Sequence, residues 1–389
     1  MTRDDHAADG RTGSVRVLWL VKGLGPGGAE RLMVAAAGAH DREVVSLRTA
    51  YLLPWKDALV GDLEALDVPC TCLDVRNERD VRWAARLRRM LVESPVDVLH
   101  AQSPYPAGIA RLVVRSLPRR IRPRLVYTVH NTWTSFSRPT RWLNGATYGF
   151  DDADVAVSEI VRDTLPSCVR NRTETVIHGI DLAGVRAQRA LRGPIRTELG
   201  IGADEVVVGT VANFRAQKDY PNLLAAARLL TDRGVPVRIV AVGQGPQEEE
   251  TRALHASLDL GDHVILTGRR ADAVAVMGAC DAFVMASNNE GLPVAIMEAL
   301  ALGLPVVSTA VGGIPEAITD DVEGLLVPAR DPEALAAAIT RVVTEPALRA
   351  RLAAGAAAAG DRYDITGTAR RLEEIYVTIT GSPDAGGAA

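Results

Sequence analysis

The chain has 389 residues, of which 47% are hydrophobic and 24% are charged, with a formal net charge of −4 at pH 7. This length and apolar content predict two hydrophobic cores, and the slight negative charge with only 4% aromatic residues argues against nucleic-acid binding. Four scattered cysteines favour a reduced compartment, and the lack of any run of about 18 apolar residues argues against a membrane-spanning protein.

Small and polar residues fill both ends of the chain, and we expect residues 1–14 and 381–389 to be disordered. The first of these segments has no apolar run typical of a signal peptide, so the expected location is cytoplasmic. Between them, short β-branched runs alternate with helical patterns, which predicts parallel sheets covered by helices. The predicted strands are residues 15–21, 43–47, 96–99, 125–129, 154–157 and 175–177, then 206–211, 237–242, 263–266, 282–285, 305–307 and 325–327.

Each set of six strands is typical of a Rossmann-like domain, so the expected fold class is α/β with two α/β/α domains. Residues 182–202 are weakly patterned and rich in glycine, which predicts a linker there. The N-terminal domain is then expected at residues 15–184 and the C-terminal domain at residues 185–365. A final helix is predicted at residues 366–380.

The loop after the first strand is rich in glycine, and Gly23, Gly25 and Gly28 match the dinucleotide fingerprint GxGxxG. That pattern would indicate a nicotinamide enzyme, which also needs a carboxylate at the end of the second strand to bind the ribose. The second strand ends at Leu47-Arg48 without an acid, although Arg48 suits the 2′-phosphate of NADP. An NADP-dependent oxidoreductase therefore stays open as an alternative.

Two cations and two carboxylates follow strands in the second half. Arg215 and Lys218 are three residues apart in a loop, where both can face one phosphate group. Glu290 is predicted in a later loop and Glu298 in the helix that follows it. The start of that helix, near Gly291-Leu292, offers free N–H groups to a phosphate, and a carboxylate on each side can accept hydrogen bonds from hydroxyls. A nucleotide-sugar has this arrangement, because its phosphates lie between two polyols, the ribose and the sugar.

Residues 281–333 closely resemble the retaining glycosyltransferases of family 4. The matching motifs are Asp281-Ala282-Phe283-Val284-Met285-Ala286-Ser287, Gly312-Gly313-Ile314-Pro315-Glu316 and Gly324-Leu325-Leu326-Val327, and in the first half Gly27-Gly28-Ala29-Glu30. The resemblance covers about residues 15–378. It implies the GT-B fold, in which two Rossmann-like domains face each other across a cleft and the final helix returns to the N-terminal domain.

The resemblance also implies roles for single residues. It implies donor binding by Gly28, Arg215, Lys218, Glu290, Gly291, Leu292 and Glu298, catalysis by His130, Glu290, Arg215 and Lys218, and acceptor or cleft positions for Gly27, His100 and Ser158. Glu298 would bind the nucleotide ribose and Glu290 the sugar hydroxyls, while the cations and amides bind the diphosphate. The chain departs from many relatives at Asn213, where they carry arginine, and at Gln102, where they carry a second histidine.

The resemblance implies a metal-independent retaining transfer from a nucleotide-sugar to a saccharide, lipid-linked or small-molecule acceptor, with no cofactor. Asp152-Ala153-Asp154 matches the Asp-x-Asp motif that binds Mg²⁺ in another class of sugar transferases. Arg215 and Lys218 are expected to supply the positive charge at the diphosphate instead of a metal ion. A nucleotide-sugar epimerase or hydrolase on the same fold is the alternative function.

Six arginines fall within residues 111–124, which contain no acidic residue. They are Arg111, Arg115, Arg119, Arg120, Arg122 and Arg124. A solvated surface explains such a cluster in most proteins. Because many relatives glycosylate lipid-linked acceptors, peripheral contact with anionic lipid at the inner face of the membrane is the competing hypothesis.

Overall fold

The computed structural model describes residues 13–25, 27–76 and 80–381. The ends predicted to be disordered therefore lie outside the described residues, apart from Gly13, Ser14 and Gly381. The chain forms two compact units. The N-terminal unit comprises the described residues of Met1–Ala156, Leu165–Val176 and Thr368–Ala389, and the C-terminal unit comprises Val157–Thr164 and Ile177–Gly367.

The N-terminal unit is built on a parallel sheet with the spatial order β3-β2-β1-β4-β5-β6-β7. Its strands are β1 (Val15–Val21), β2 (Val45–Tyr51), β3 (Cys70–Cys72), β4 (Val98–Ala101), β5 (Arg124–Val129), β6 (Ala153–Ala156) and β7 (Thr173–Thr175). The helices in this part of the chain are α1 (Gly28–Ala39), α2 (Val60–Glu64), α3 (Trp83–Glu93), α4 (Pro104–Arg115), α5 (Arg138–Thr147), α6 (Glu159–Asp163) and α7 (Ser167–Arg170). Of these, α6 belongs to the C-terminal unit.

The C-terminal unit is built on a second parallel sheet with the order β10-β9-β8-β11-β12-β13. Its strands are β8 (Val206–Val211), β9 (Val237–Val242), β10 (Val264–Gly268), β11 (Ala282–Met285), β12 (Val306–Thr309) and β13 (Gly324–Val327). The remaining helices are α8 (Leu182–Ala187), α9 (Arg192–Glu198), α10 (Tyr220–Asp232), α11 (Glu248–Ser257), α12 (Ala273–Gly278), α13 (Val294–Ala301), α14 (Ile314–Ala317), α15 (Pro332–Thr344), α16 (Pro346–Gly360) and α17 (Ile365–Thr380). No helix within the described ranges has the length and apolar character needed to cross a bilayer.

Burial on both faces explains why the central strands are predominantly apolar. In β8, Val208 packs into a core with Leu224 of α10 and Leu335 of α15. The preceding residue, Val207, points to the opposite face and packs with Val276 of α12. The predicted fold class, α/β with two parallel sheets covered by helices, is confirmed.

The prediction of a linker at residues 182–202 is wrong, because this stretch forms α8, a 3₁₀ turn at Gln188–Leu191 and α9. Pro194 lies in the first turn of α9, where its missing N–H removes no helical hydrogen bond. The guanidinium of Arg192 donates to the carbonyls of Ala279 and Cys280, both at 2.8 Å. These contacts fasten the stretch to the C-terminal unit.

The last helix, α17, belongs to the N-terminal unit from Thr368 onward. Tyr376 is fully buried there, and its hydroxyl accepts a hydrogen bond from the indole N–H of Trp19 at 3.2 Å. Glu373 lies 2.8 Å from the imidazole of His40. The last helix that the structure describes therefore packs in the same core as the first strand.

Candidate active site

The topology of the C-terminal sheet marks a place for a ligand. Strand β8 has β9 on one side and β11 on the other, so the connections leaving β8 and β11 run in opposite directions. Ligands of open parallel sheets bind at the carboxyl ends of strands at such a switch point. Arg215 and Lys218 follow β8, and Glu290 follows β11. The sheet thus brings together the cations and the carboxylate that the sequence predicted as a site.

Lys218 and Glu290 form a direct ion pair, with 2.5 Å between Nζ and Oε1. Their side chains are 16% and 8% exposed, so solvent screens the pair weakly. The hydroxyl of Ser287 donates to the same carboxylate oxygen at 2.5 Å. Ser287, which the sequence reasoning did not single out, therefore fixes the orientation of the Glu290 carboxylate.

The loops after β8 and β11 are tied to each other by Asn288. Its backbone N–H donates to the carbonyl of Gln217 at 2.9 Å, and its side-chain amide donates to the carbonyl of Ala216 at 3.0 Å. Because these contacts flank Lys218 and Glu290, the ion pair lies between two loops held at a fixed separation.

Several hydrogen-bond donors around this pair have no protein partner within the described residues. The guanidinium of Arg215 is exposed and, in that part of the chain, makes no hydrogen bond or ion pair. The backbone N–H groups of Gly291 and Leu292 likewise donate to no other described residue. Both amides lie just before α13, where the positive end of the helix dipole adds to their attraction for an anion.

The loop after β12 packs backbone to backbone against Glu290 and Gly291. Gly312 has φ of +54°, and a Cβ atom added to it would lie 1.8 Å from the carbonyl oxygen of Glu290. The N–H of Gly313 donates to the carbonyl of Gly291 at 2.8 Å. The Gly312-Gly313 pair therefore holds the Glu290 loop in place, which explains why two glycines stand together here.

A second glycine loop packs against the backbone that leads from β8 to Arg215. A Cβ atom added to Gly243 would lie 2.0 Å from the carbonyl oxygen of Ala212, and one at Gly245 would lie 2.4 Å from that of Phe214. The N–H of Phe214 donates to the carbonyl of Gln244 at 3.1 Å. The pattern Gly-x-Gly directly after β9 was a usable sequence signal for this support, and our sequence reasoning missed it.

Glu298 is partly exposed on α13, in the second turn of the helix. The helix ends at a glycine: Gly303 adopts φ of +63°, and the N–H of Leu304 donates to the carbonyl of Ala299 at 2.9 Å. Pro293 lies directly before the first helical residue, Val294. Glu290 thus lies in the loop before α13, and Glu298 lies within the helix.

The N-terminal sheet has its own switch point, between β1 and β4. Gly27 precedes α1 and Gly28 is its first residue, so both lie at the carboxyl end of β1. The loop after β4 is fastened to the start of this loop, because the N–H of Lys22 donates a hydrogen bond to the hydroxyl of Ser103 at 3.1 Å. The glycine turn is therefore held at the edge of the sheet where a ligand is expected.

The two histidines differ in their surroundings. His130 is partly exposed directly after β5, and its Nε2 lies 2.9 Å from the side-chain oxygen of Gln102. His100 is fully buried, with Nδ1 2.6 Å from the hydroxyl of Tyr376 and Nε2 2.7 Å from that of Thr128. The structure therefore places His130 at the sheet edge and His100 in the interior.

Ser158 is the N-cap of α6, and its hydroxyl accepts a hydrogen bond from the N–H of Val161 at 3.2 Å. It is fully buried. The two preceding helical amides are also satisfied, because the N–H groups of Glu159 and Ile160 donate to the carboxylate of Glu316 at 3.2 and 2.5 Å. Ser158 and Glu316 together cap this short helix.

The expectation that Arg111 contributes to a membrane-facing surface is wrong. Its side chain is 1% exposed and its guanidinium donates to both carboxylate oxygens of Asp151, at 2.8 and 2.5 Å. The ring of Tyr148 lies 4.5 Å from the same guanidinium. Arg111 is a core residue, and only the arginines after it are available at the surface.

Both carboxylates of Asp152-Ala153-Asp154 have arginine partners. Asp152 lies 2.9 Å from Arg124, and the buried Asp154 lies 2.6 Å from Arg172. Burial raises the pKa of Asp154 to about 8, and the neighbouring carboxylate of Asp151 adds to this effect. The two side chains of the Asp-x-Asp sequence thus contact two different arginines.

The NADP alternative loses its main support. Strand β2 continues to Tyr51, so Arg48 lies within the strand and not at its carboxyl end. Its guanidinium donates to the hydroxyl and the carbonyl of Ser94 at 2.7 and 3.2 Å. Arg48 is therefore not placed to bind a 2′-phosphate at the edge of the sheet.

Known structures share this fold. An Anabaena protein, HepE, whose crystal structure is in complex with UDP, superposes with a TM-score of 0.81 over 94% of this chain and 100% of that chain, at 21% identity. At this level of identity the likeness concerns the fold, and it agrees with the expected GT-B class.

Curated relatives and family models identify the family. A D-inositol 3-phosphate glycosyltransferase of Saccharomonospora viridis is 34% identical over 58% of this chain and 54% of its own length. An N-acetyl-alpha-D-glucosaminyl L-malate synthase of Bacillus anthracis is 28% identical over 64% of this chain and 65% of its own. The matches thus span about half to two thirds of these relatives.

Residues 26–183 match the model of Glycosyltransferase Family 4 and residues 192–358 that of Glycosyl transferases group 1. The chain therefore belongs to the glycosyltransferases of family 4 and group 1.

Proposed function

We propose that this chain transfers a sugar from a nucleoside diphosphate donor to a hydroxyl acceptor, with retention of anomeric configuration and without a metal ion. The arrangement that carries the proposal is the set of donors around Glu290. An ammonium group, an exposed guanidinium and two backbone amides converge on the switch point of the C-terminal sheet, next to a carboxylate.

The charges suit a diphosphate leaving group. As the bond between the anomeric carbon and the phosphate oxygen breaks, negative charge grows on that oxygen, and fixed cations lower the barrier. Arg215 and Lys218 supply the cations, and the amides of Gly291 and Leu292 supply oriented N–H groups. In this mechanism the acceptor oxygen forms the new bond to the anomeric carbon and its proton passes to the departing phosphate. Glu290 accepts hydrogen bonds from the hydroxyls of the transferred sugar, and Glu298 accepts them from the ribose.

A UDP-sugar is the proposed donor, since the solved relatives that share the fold include complexes with UDP and with UDP-glucose. A nucleotide-sugar epimerase or hydrolase on the same fold would use the same donor site. The reaction product separates the two: an epimer or free sugar formed without any acceptor supports the alternative. Retention is checked by the anomeric coupling constant of the transferred sugar in the product.

A thermal-shift panel of nucleoside diphosphates and their sugars, run with a chelator and again with Mg²⁺, tests the donor site. We expect uridine nucleotides to raise the melting temperature by a few degrees, equally in both buffers, because ligands that bind only the folded state stabilise it. No shift with any nucleotide would overturn the donor site. A shift that requires Mg²⁺ would overturn metal independence.

We further propose that the N-terminal unit contacts anionic lipid at the inner membrane face while bound to a lipid-linked acceptor. Residues 98–150 contain no acidic residue and eight arginines, of which one, Arg111, lies in the core. Trp142 on α5 is 76% exposed and Leu112 on α4 is 49% exposed. Exposed tryptophan and arginine together are typical of surfaces that bind at the membrane interface.

Flotation with neutral and with anionic vesicles tests this contact. The double substitution Arg119→Glu/Arg120→Glu should abolish binding to anionic vesicles, while the matched control Arg88→Glu/Arg89→Glu on α3 changes the net charge equally and should retain it. Equal loss in both variants, or binding that ignores lipid charge, would remove the proposal.

A further inference from the structure

A row of polar side chains runs through the interior of the N-terminal unit, from His130 at the sheet edge to the last helix. Its members are Trp19 on β1, His100 on β4, Gln102 after β4, Thr128 on β5, His130 after β5 and Tyr376 on α17. Buried polar groups cost stability unless they are hydrogen-bonded, and here each has a partner within the row.

The far end of the row is fixed by the indole of Trp19, which can only donate. Its N–H donates to the hydroxyl of Tyr376 at 3.2 Å, so the Tyr376 hydrogen is directed to the Nδ1 of His100, 2.6 Å away. Burial raises the pKa of Tyr376, which keeps this hydroxyl neutral. The proton of the His100 ring then lies on Nε2, 2.7 Å from the hydroxyl of Thr128.

Gln102 joins this fixed end to His130. It is 7% exposed, and its backbone N–H donates to the carbonyl of Leu20 at 2.8 Å. Its side-chain nitrogen lies 3.3 and 3.4 Å from the ring nitrogens of His100. Its side-chain oxygen lies 2.9 Å from Nε2 of His130. An amide oxygen only accepts, so the Nε2 of His130 must carry a proton.

We propose that Gln102 is a positioning residue that holds His130 as the Nε2–H tautomer, in an orientation set by the buried row that ends at Tyr376. The inference rests on the proposed function, together with the catalytic role in sugar transfer that the family resemblance implies for His130. Unlike a histidine at this position, the glutamine side chain has no proton to gain or lose. The partner of His130 therefore stays a neutral acceptor at every pH at which the protein is folded.

Nuclear magnetic resonance of histidine-labelled protein tests the tautomer directly. The chain has seven histidines, and His130→Asn identifies the His130 signals. We expect the wild-type ring to be the Nε2–H tautomer. Gln102→Glu keeps the shape and turns the acceptor into an anion, which should raise the pKa of His130 by about one unit or more. An Nδ1–H tautomer in the wild type, or an unchanged His130 titration in the variant, would overturn the proposal.

Two further variants separate positioning from structural support. Gln102→Leu should leave the nucleotide-induced thermal shift unchanged and lower kcat of sugar transfer about tenfold. This is less than the roughly 10²–10⁴-fold that a general acid–base contact contributes, because His130 is misoriented but still present. The control Thr128→Val removes a hydrogen bond of His100 and should lower the melting temperature without changing the tautomer of His130. If the tautomer is as expected but Gln102→Leu leaves transfer unchanged, the ring of His130 is positioned as proposed but has no catalytic role in sugar transfer.

Discussion

Nζ of Lys218 lies 2.5 Å from Oε1 of Glu290, although 72 residues separate the two in the chain. The pair joins the loop after β8 to the loop after β11, and it is largely shielded from water. A carboxylate that shares one oxygen with an ammonium and a serine hydroxyl keeps its other oxygen for a sugar hydroxyl. The ammonium can in turn bind a phosphate on its remaining N–H groups. The pair is thus a support for the loops and a part of the proposed site.

Breaking one half of this pair should cost stability as well as activity. Lys218→Met and Glu290→Gln are each expected to lower the free energy of unfolding, by roughly 2–4 kcal/mol, because the other charge is left buried without its partner. The double variant should lose less than the sum of the two, by about 1 kcal/mol or more. Urea unfolding measures all four proteins. Additive losses would mean that the two side chains do not interact in solution.

The two glutamates should separate nucleotide binding from sugar binding. Glu298→Ala is expected to abolish stabilisation by UDP, because it removes the proposed partner of the ribose hydroxyls. Glu290→Ala should retain the response to UDP and lose the additional response to a UDP-sugar, with a fall in turnover. Thermal shifts with both ligands measure this. A Glu298→Ala protein that still responds fully to UDP would contradict the assignment.

The sequence predicted well wherever a signal is local. The bounds of β1, β8, β9 and β11 agree with the predicted ones, since these strands are predominantly apolar. The end of α13 is likewise marked by a local signal, the glycine with positive φ at position 303. Residues 182–202 were misjudged because several glycines and a proline outweighed a helical pattern that packing on the C-terminal unit stabilises.

Contacts between residues that are far apart in the chain could not be predicted from the sequence. Arg111 belongs to an arginine-rich segment, and only the fold reveals that it donates to Asp151, 40 residues later, in the core. The same holds for Gly312, whose role depends on the carbonyl of Glu290 lying against it. Motif resemblance marked the surrounding residues as a site, but it did not say which of them bind a ligand and which hold the loops.

A methyl group at Gly312 should disturb the Glu290 loop. Gly312→Ala has to relieve both a positive φ and a contact of 1.8 Å with a backbone carbonyl, which cannot move as a side chain would. Gly200→Ala is the matched control, since Gly200 has φ of +63° and open space around its Cβ position. The control should lose about 1–2 kcal/mol and keep its response to UDP-sugar. Gly312→Ala should lose more stability and the response. Equal stability and ligand response in both variants would show that the close packing does not matter.

The buried carboxyl of Asp154 should make stability depend on pH. Burial holds its folded-state pKa near 8, above the ordinary value of 3.8, so the folded protein keeps a proton that the unfolded chain releases between these values. The free energy of unfolding should therefore fall as pH rises through this range, by at most about 1.4 kcal/mol per pH unit.

Asp154→Asn cannot titrate, so its free energy of unfolding should fall less between pH 5.5 and 7.5 than that of the wild type. Urea unfolding at both pH values gives the comparison. The exposed neighbour provides the control, because Asp152→Asn removes the same charge outside the core and should retain the wild-type slope. If the Asp154→Asn and wild-type proteins lose stability in parallel, the carboxyl is ionised in the folded state, and the ion pair with Arg172 outweighs burial.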